Sequence, residues 1–150
     1  MYGYMPVQQA DPQANQYASL QPALRVLTTV VGLQQLQPWE SISYGATYTA
    51  GQQMQSATLP FGYYEGLPRA VSNQWMVRRQ DTYLPVRWRV CMNLCSIDTL
   101  WYPLQQGDRI EIVGTGDGAP NTIEDLARMC WTISYEVLTK LSEKTRRVIV

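Results

Sequence analysis

Histidine, the side chain that most often moves protons near neutral pH, is absent from this 150-residue sequence. Acid–base chemistry therefore falls to carboxylates, thiols or phenols. The acidic residues are mostly spread singly, and Glu65 beside Gly66 in "FGYYEG" reads as part of a turn rather than half of a glycosidase pair. The three cysteines, Cys91, Cys95 and Cys130, cannot pair off completely. Cys91 and Cys95 lie four apart in a strand-like run, which puts both on one face as core thiols. A zinc site would have to combine all three with a carboxylate, an uncommon set, so no metal is expected. The glycines Gly114, Gly116 and Gly118 of "VGTGDGAP" have the look of a phosphate-cradling loop. The G-x-G-x-x-G spacing is missing, however, and Pro120 and Asn121 intervene before the next helical pattern, so a surface loop is expected.

Phenols are the remaining candidates. "SISYGATYTA", residues 41–50, carries Tyr44 and Tyr48 among small residues, with Gly45 directly after the first. A tyrosine accepts a proton only if its pKa is depressed from about 10, which calls for a cation nearby. Composition and spacing alone make both rings packing residues.

The elements that would position such residues are mostly strands. Apolar residues make up 45% and charged residues 16% of the 17.1 kDa chain, which suits a single folded domain. Twelve basic residues balance twelve acidic ones, leaving no field to attract nucleic acid or anionic lipid. No stretch approaches the roughly 18 apolar residues of a membrane span and no leader pattern opens the chain, so a cytoplasmic location is expected. Residues 1–22 read as a connecting arm, Gln-, Ala- and Pro-rich over 5–20, and 23–150 as the β domain. Within it, residues 24–36 suggest one long strand bent at Gly32. Further strand runs lie at 53–61, 74–80, 83–97 and 108–114, most of them bounded by Gly, Pro, Asn or Asp, which argues for a barrel or sandwich. Thr122 stands three residues before Asp125, a variant of the capping box, ahead of a stripe of Ile123, Leu126, Ala127 and Cys130, predicting a short helix. Ile133, Val137 and Leu141 predict a second, and "RRVIV" a closing strand.

Taken in order, "SISYGATYTA", "ATLPFGYYEGLPRAVSN", "PVRWRVCMNLCSID", "GDRIEIVG", "TIEDLAR", "TISYEVLTKLS" and "RRVIV" resemble the C-terminal domain of pyridoxal-phosphate-dependent alanine racemase, from about Leu24 to Val150. The resemblance implies a mainly β, barrel-like domain with one or two short C-terminal helices. In that family a (β/α)8 barrel holds pyridoxal phosphate as a Schiff base on a lysine. The enzyme is a head-to-tail dimer in which the C-terminal domain of one subunit covers the cofactor of the other. A lysine and a tyrosine on opposite faces of the substrate interconvert L- and D-alanine, which supplies D-alanine for peptidoglycan.

By the same resemblance Tyr44 is the tyrosine base, acting on the L-alanine side, and the backbone of Met92 in "VCMN" seats the substrate carboxylate. Tyr135 of "ISYEV" contacts the cofactor phosphate, while Tyr63 and Ile133 narrow the entrance. Asn93 stands there where the family usually has Asp. Trp88 and Trp39 occupy positions where the family has glycine. Lys140 and Lys144 are the only lysines, and neither resembles the Schiff-base lysine. The implied cofactor is therefore bound only in complex with a barrel domain or homologous subunit, and the chain is expected to be inactive alone. The alternative implied by these absences is a stand-alone β-domain interaction module or a gene fragment without function.

Overall fold

The computed structural model describes residues 21–116 and 118–149, so all but the last two residues of the expected arm lie outside it. Seven strands, β1 (Val26–Thr29), β2 (Gly32–Leu36), β3 (Met54–Leu59), β4 (Met76–Arg79), β5 (Thr82–Arg87), β6 (Cys95–Asp98) and β7 (Arg109–Val113), precede α1 (Ile123–Met129) and α2 (Ser134–Thr139). This is the expected mainly β domain with two short helices. All pairings are antiparallel, and the lateral order is β1-β7-β4-β5-β6-β3-β2.

That order puts β1 and β2 at opposite ends of the sheet, although only Val30 and Val31 separate them in the chain. The Val30 N–H donates to Asp108 O at 2.9 Å, beside β7, and the Val31 N–H donates to Thr58 O at 3.0 Å, on β3. One peptide step thus hands the chain from one end of the sheet to the other, which requires the sheet to curl into a half-barrel. The single bent strand expected over 24–36 is therefore two strands. The break falls before Gly32, which adopts no left-handed φ.

Alternating residues of the strands point into the curl. Ala57, Leu59, Val77, Leu84, Val86, Ile97, Ile110 and Ile112 are fully buried around Trp75, each large one contributing roughly 1.5–3 kcal/mol by its removal from water. The Trp75 indole N–H donates to Ile112 O at 2.9 Å, so its one polar atom is satisfied. Helix α1 closes this core with Ile123, Leu126 and Ala127. Its expected start is observed: Thr122 Oγ1 accepts from the Asp125 N–H, and the Thr122 N–H donates to the Asp125 carboxylate. Helix α2 is shorter than its pattern suggested. Val137 is buried, but Ile133 is the exposed N-cap and Leu141 lies beyond the last turn.

Two other expectations are corrected. Residues 146–149 form no strand, and Val148 and Ile149 are exposed; β propensity is realised only by pairing, and this run joins neither open edge of the sheet, β1 or β2. The 83–97 run is a hairpin, β5 and β6 paired through Val86↔Ile97 and Arg87↔Ser96. Cys91 and Cys95 therefore do not share a strand face. Cys91 sits half-buried in the intervening turn, whereas Cys95 is fully buried on β6. Burial, helped by the neighbouring Cys91 and Glu65, pushes the Cys95 thiol up to about 12 and keeps it neutral.

Register also explains a buried charge. Arg78 on β4 pairs directly with Glu111 on β7, donating from Nε to Oε1 at 2.8 Å, while Arg25 Nε donates to Oε2 at 2.7 Å. A Cβ at Gly114 would run into the Glu111 carboxylate, so the first glycine of "VGTGDGAP" makes room for this cluster in an irregular loop. Burial pushes the Glu111 carboxyl up, but hydrogen bonds from Arg78 and Arg25 outweigh it and hold the group below the usual carboxylate range. A depressed carboxyl stabilises the fold above its unfolded pKa of about 4.3, and that contribution is lost as pH falls through the lower folded value. Glu111→Gln is expected to cost about 1.5–3 kcal/mol at pH 7, the range for charge-assisted hydrogen bonds, and much less near pH 2. Urea midpoints at both pH values check this. An equal loss at both would mean that charge is not what matters here.

Trp39 and Trp88 both adopt left-handed backbone, with φ of 74° and 62°, a conformation that the glycine implied there by the resemblance takes without strain. Their surroundings differ. Trp39 is 82% exposed, so Trp39→Gly removes backbone strain at little packing cost. It is expected to raise stability by about 0.5–1 kcal/mol. An unchanged or lowered denaturation midpoint would contradict this.

Candidate functional site

The loop bearing Tyr44 is held over a small second core of Leu36, Ala50, Met54 and Trp88, with Ile42 and Tyr48 packed against it. The Tyr48 ring meets Trp88 edge-on, with centroids 5.1 Å apart and planes at 83°, and the Arg87 guanidinium lies 5.0 Å from its centroid. Tyr48 is thus a packing residue. Ser41 Oγ donates to Tyr48 O at 2.7 Å and accepts from Trp88 Nε1 at 3.2 Å, tying both ends of the loop to that core.

Tyr44 begins a short 3₁₀ turn, Tyr44–Ala46, whose backbone is strained on both sides: φ is 69° at Ser43, 79° at Gly45 and 42° at Ala46. Left-handed non-glycine residues cost of order 1–3 kcal/mol each and persist only where surrounding structure enforces them. The enforcement here is visible. Ser43 Oγ lies 3.4 Å from Arg89 O and 3.3 Å from Cys91 Sγ, and Asn73 Nδ2 reaches Thr47 O at 3.4 Å. Tyr44 is thereby carried on a turn fastened to the one that holds Met92.

The 88–94 turn is braced in its own right. Asn73 Oδ1 accepts from the Trp88 N–H at 2.6 Å, and Ser72 Oγ accepts from the Val90 N–H at 3.0 Å. Its other flank stacks on the turn containing Tyr63. The Tyr63 N–H donates to Cys91 O at 3.0 Å and the Tyr64 N–H to Met92 O at 2.9 Å. A Cβ at Gly62 would collide with both carbonyls, so only glycine allows this approach. Met92 and Asn93 are exposed at the rim, and among the described residues no acceptor engages the Met92 N–H.

Beside Gly45, Arg69, Ala70 and Arg89 line an open cleft of about 550 Å³. Both arginines are exposed and neither is in an ion pair among the described residues. The structure thus brings together the backbone of Tyr44 with Tyr63, Met92 and Asn93. Ile133 and half-buried Tyr135 belong instead to the start of α2. The α2 end of the chain meets the Tyr63 turn through Leu141, which packs on Gly66, and through the Ser142 N–H, which donates to Glu65 O at 3.3 Å.

Sequence reasoning missed Arg69, Arg89, Ser72 and Asn73. "SN" after an apolar pair is a turn signal, but its partners lie 15 and 18 residues away in the chain. Among the described residues no group of three or more Cys, Asp or Glu is placed to hold a metal ion, and no helix is long and apolar enough to cross a membrane.

Residues 23–149 match the family model for "Alanine racemase, C-terminal domain". The chain is 34% identical over 151 aligned residues to alanine racemase 1 of Clostridium acetobutylicum, an alignment that takes in 100% of this chain and 38% of that protein. It is 38% identical over 147 residues to an alanine racemase of Listeria monocytogenes, covering 98% of this chain and 39% of the relative. Among solved structures, an alanine racemase from Clostridium difficile superposes with a TM-score of 0.87 at 28% identity, over 99% of this chain and 38% of that one. The chain therefore spans about two fifths of the length of these relatives.

Proposed function

Because this chain belongs to the family of alanine racemase C-terminal domains, we propose that it provides the tyrosine base and the cover for an alanine racemase site whose cofactor sits in a (β/α)8 barrel domain. These 150 residues depend on that barrel domain and are inactive without it. Tyr44 is the group that takes the Cα proton of L-alanine and returns it in the reverse direction. The Met92 N–H receives the substrate carboxylate. Tyr63, Ile133 and Asn93 bound the entrance, and Tyr135 addresses the cofactor phosphate.

The observation that carries this reading is the strained turn at residues 43–46. Backbone in a costly conformation, clamped by Ser43 against Arg89 and Cys91, is what precise presentation of one side chain calls for. Arg69 and Arg89, in no ion pair among the described residues, add positive potential beside that turn, which favours an anionic substrate.

Covalent attachment of pyridoxal phosphate does not fit this chain's own residues. Lys140 pairs with Glu136 at the end of α2, and Lys144 lies 5.5 Å over the ring of Tyr64 in a separate groove. Neither lines the cleft beside Gly45. The attachment lysine is accordingly assigned to the barrel.

Reconstitution tests the proposal. Mixing this chain with a separately produced, cofactor-loaded barrel half from a relative is expected to yield racemisation that neither part shows alone. A mixture no more active than the barrel half would overturn the proposal.

A further inference from the structure

We propose that Glu65 is a positioning residue for this site: its carboxylate ties the turn bearing Tyr63 to the turn bearing Met92, with the Asn93 side-chain amide as its donor. The inference rests on the function proposed above and extends it to a residue with no role there.

Each carboxylate oxygen serves a different turn. Oε2 accepts the Gly62 N–H at 2.8 Å, and Oε1 accepts from Asn93 Nδ2 at 3.0 Å. The Glu65 backbone is fixed as well, its N–H donating to Gly62 O at 3.2 Å and its carbonyl accepting the Ser142 N–H at 3.3 Å. Three segments distant in sequence therefore meet at one half-buried residue: the 62–66 turn, the 91–94 turn and the stretch after α2.

The turn pair is close enough for small displacements to matter. Carbonyl groups of Cys91 and Met92 point into the 62–64 backbone, and there is no room for a Cβ at Gly62. Loosening the tie lets the 91–94 turn shift, and with it the Met92 N–H. The Asn93 amide supplies the donor that Glu65 Oε1 accepts. A carboxylate in its place would set two like charges at hydrogen-bond distance, and one would have to take up a proton or move away.

The test has two arms. In the isolated chain, amide exchange followed by NMR is expected to speed up about tenfold or more at Gly62 in Glu65→Ala, with smaller increases at Tyr63 and Tyr64. Glu65→Gln, which keeps an acceptor for the Gly62 N–H, is expected to restore part of that protection. In the reconstituted enzyme, Glu65→Ala and Asn93→Asp are expected to raise KM for alanine about tenfold while kcat stays within about twofold, because the seat of the carboxylate moves while the turn of Tyr44 keeps its anchors outside residues 91–94, at Arg89 O, Asn73 and Ser41.

Unchanged exchange at Gly62 in Glu65→Ala would overturn the proposal, as would faster exchange with an unaltered KM. A fall in kcat alone would also overturn it, since that would place the effect on the base rather than on the seat. The two readings fail differently. An inactive wild-type mixture defeats the proposed function and with it any role of Glu65 in substrate binding. An active wild type with indifferent variants defeats only the role of Glu65.

Discussion

In the reconstituted complex, Tyr44→Phe is expected to lower kcat by about 10²- to 10⁴-fold, the range that a positioned proton-transfer group contributes. The substitution removes one hydroxyl and leaves the ring, so the turn that carries it should persist. That turn is held by Ser43 against Arg89 and Cys91 and by Asn73 at Thr47. The KM for alanine should change little, because the proposed seat for the carboxylate is the Met92 N–H on a different turn. The loss should fall most heavily on removal of the L-side proton, which solvent-deuterium exchange from each enantiomer would resolve. Tyr48→Phe is the matched control, since Tyr48 packs against Trp88 and its removal from chemistry should cost less than about threefold. Equal losses for the two variants, or undiminished turnover without the Tyr44 hydroxyl, would remove Tyr44 from the mechanism.

Trp88→Gly is expected to destabilise the fold by about 3 kcal/mol, a balance of two opposed terms. The position has φ of 62°, and relieving a left-handed backbone returns about 1–2 kcal/mol. The ring, however, is fully buried at the centre of the second core, where large-to-small changes cost about 3–5 kcal/mol. The indole N–H goes with the ring, so Ser41 Oγ loses that donor and keeps its bond to Tyr48 O. For a domain of this size the melting temperature should fall by roughly 6–12 °C. The Tyr44 loop rests on this core, so activity of the reconstituted enzyme should fall before the chain unfolds. A raised melting temperature would show that strain outweighs packing at Trp88. The opposite signs expected for Trp39→Gly and Trp88→Gly follow from burial alone, because the backbone conformations are alike.

Local signals were well preserved in the sequence. The strands at 54–59, 76–79 and 109–113 and the helix at 123–129 fall within their predicted runs, because hydrophobic alternation and the Thr122–Asp125 box are properties of a few adjacent residues. The errors share one cause. Residues 24–36 and 83–97 each read as a single strand, yet each contains a break that adjacent residues do not dictate. The first break exists because Val30 and Val31 hydrogen-bond to opposite ends of a curled sheet. The second follows Arg87 because Trp88 is held in a left-handed conformation, with Asn73 accepting its N–H. The misplaced closing strand at 146–149 had the right residue types but pairs with neither open edge of the sheet.

The candidate site divides in the same way. Ordered motifs in the sequence were enough to nominate Tyr44, Tyr63, Met92, Asn93, Ile133 and Tyr135 and to identify the family to which the chain belongs. They could not show that Ser43 bonds across 46 residues to Arg89, that Gly62 must be glycine to lie against Cys91 and Met92, or that Glu65 joins two turns. Residue type and periodicity depend on neighbours in the chain, and the sequence alone determined those. Which turn is clamped, strained or charged depends on neighbours in space, and only closure of the sheet brings them together.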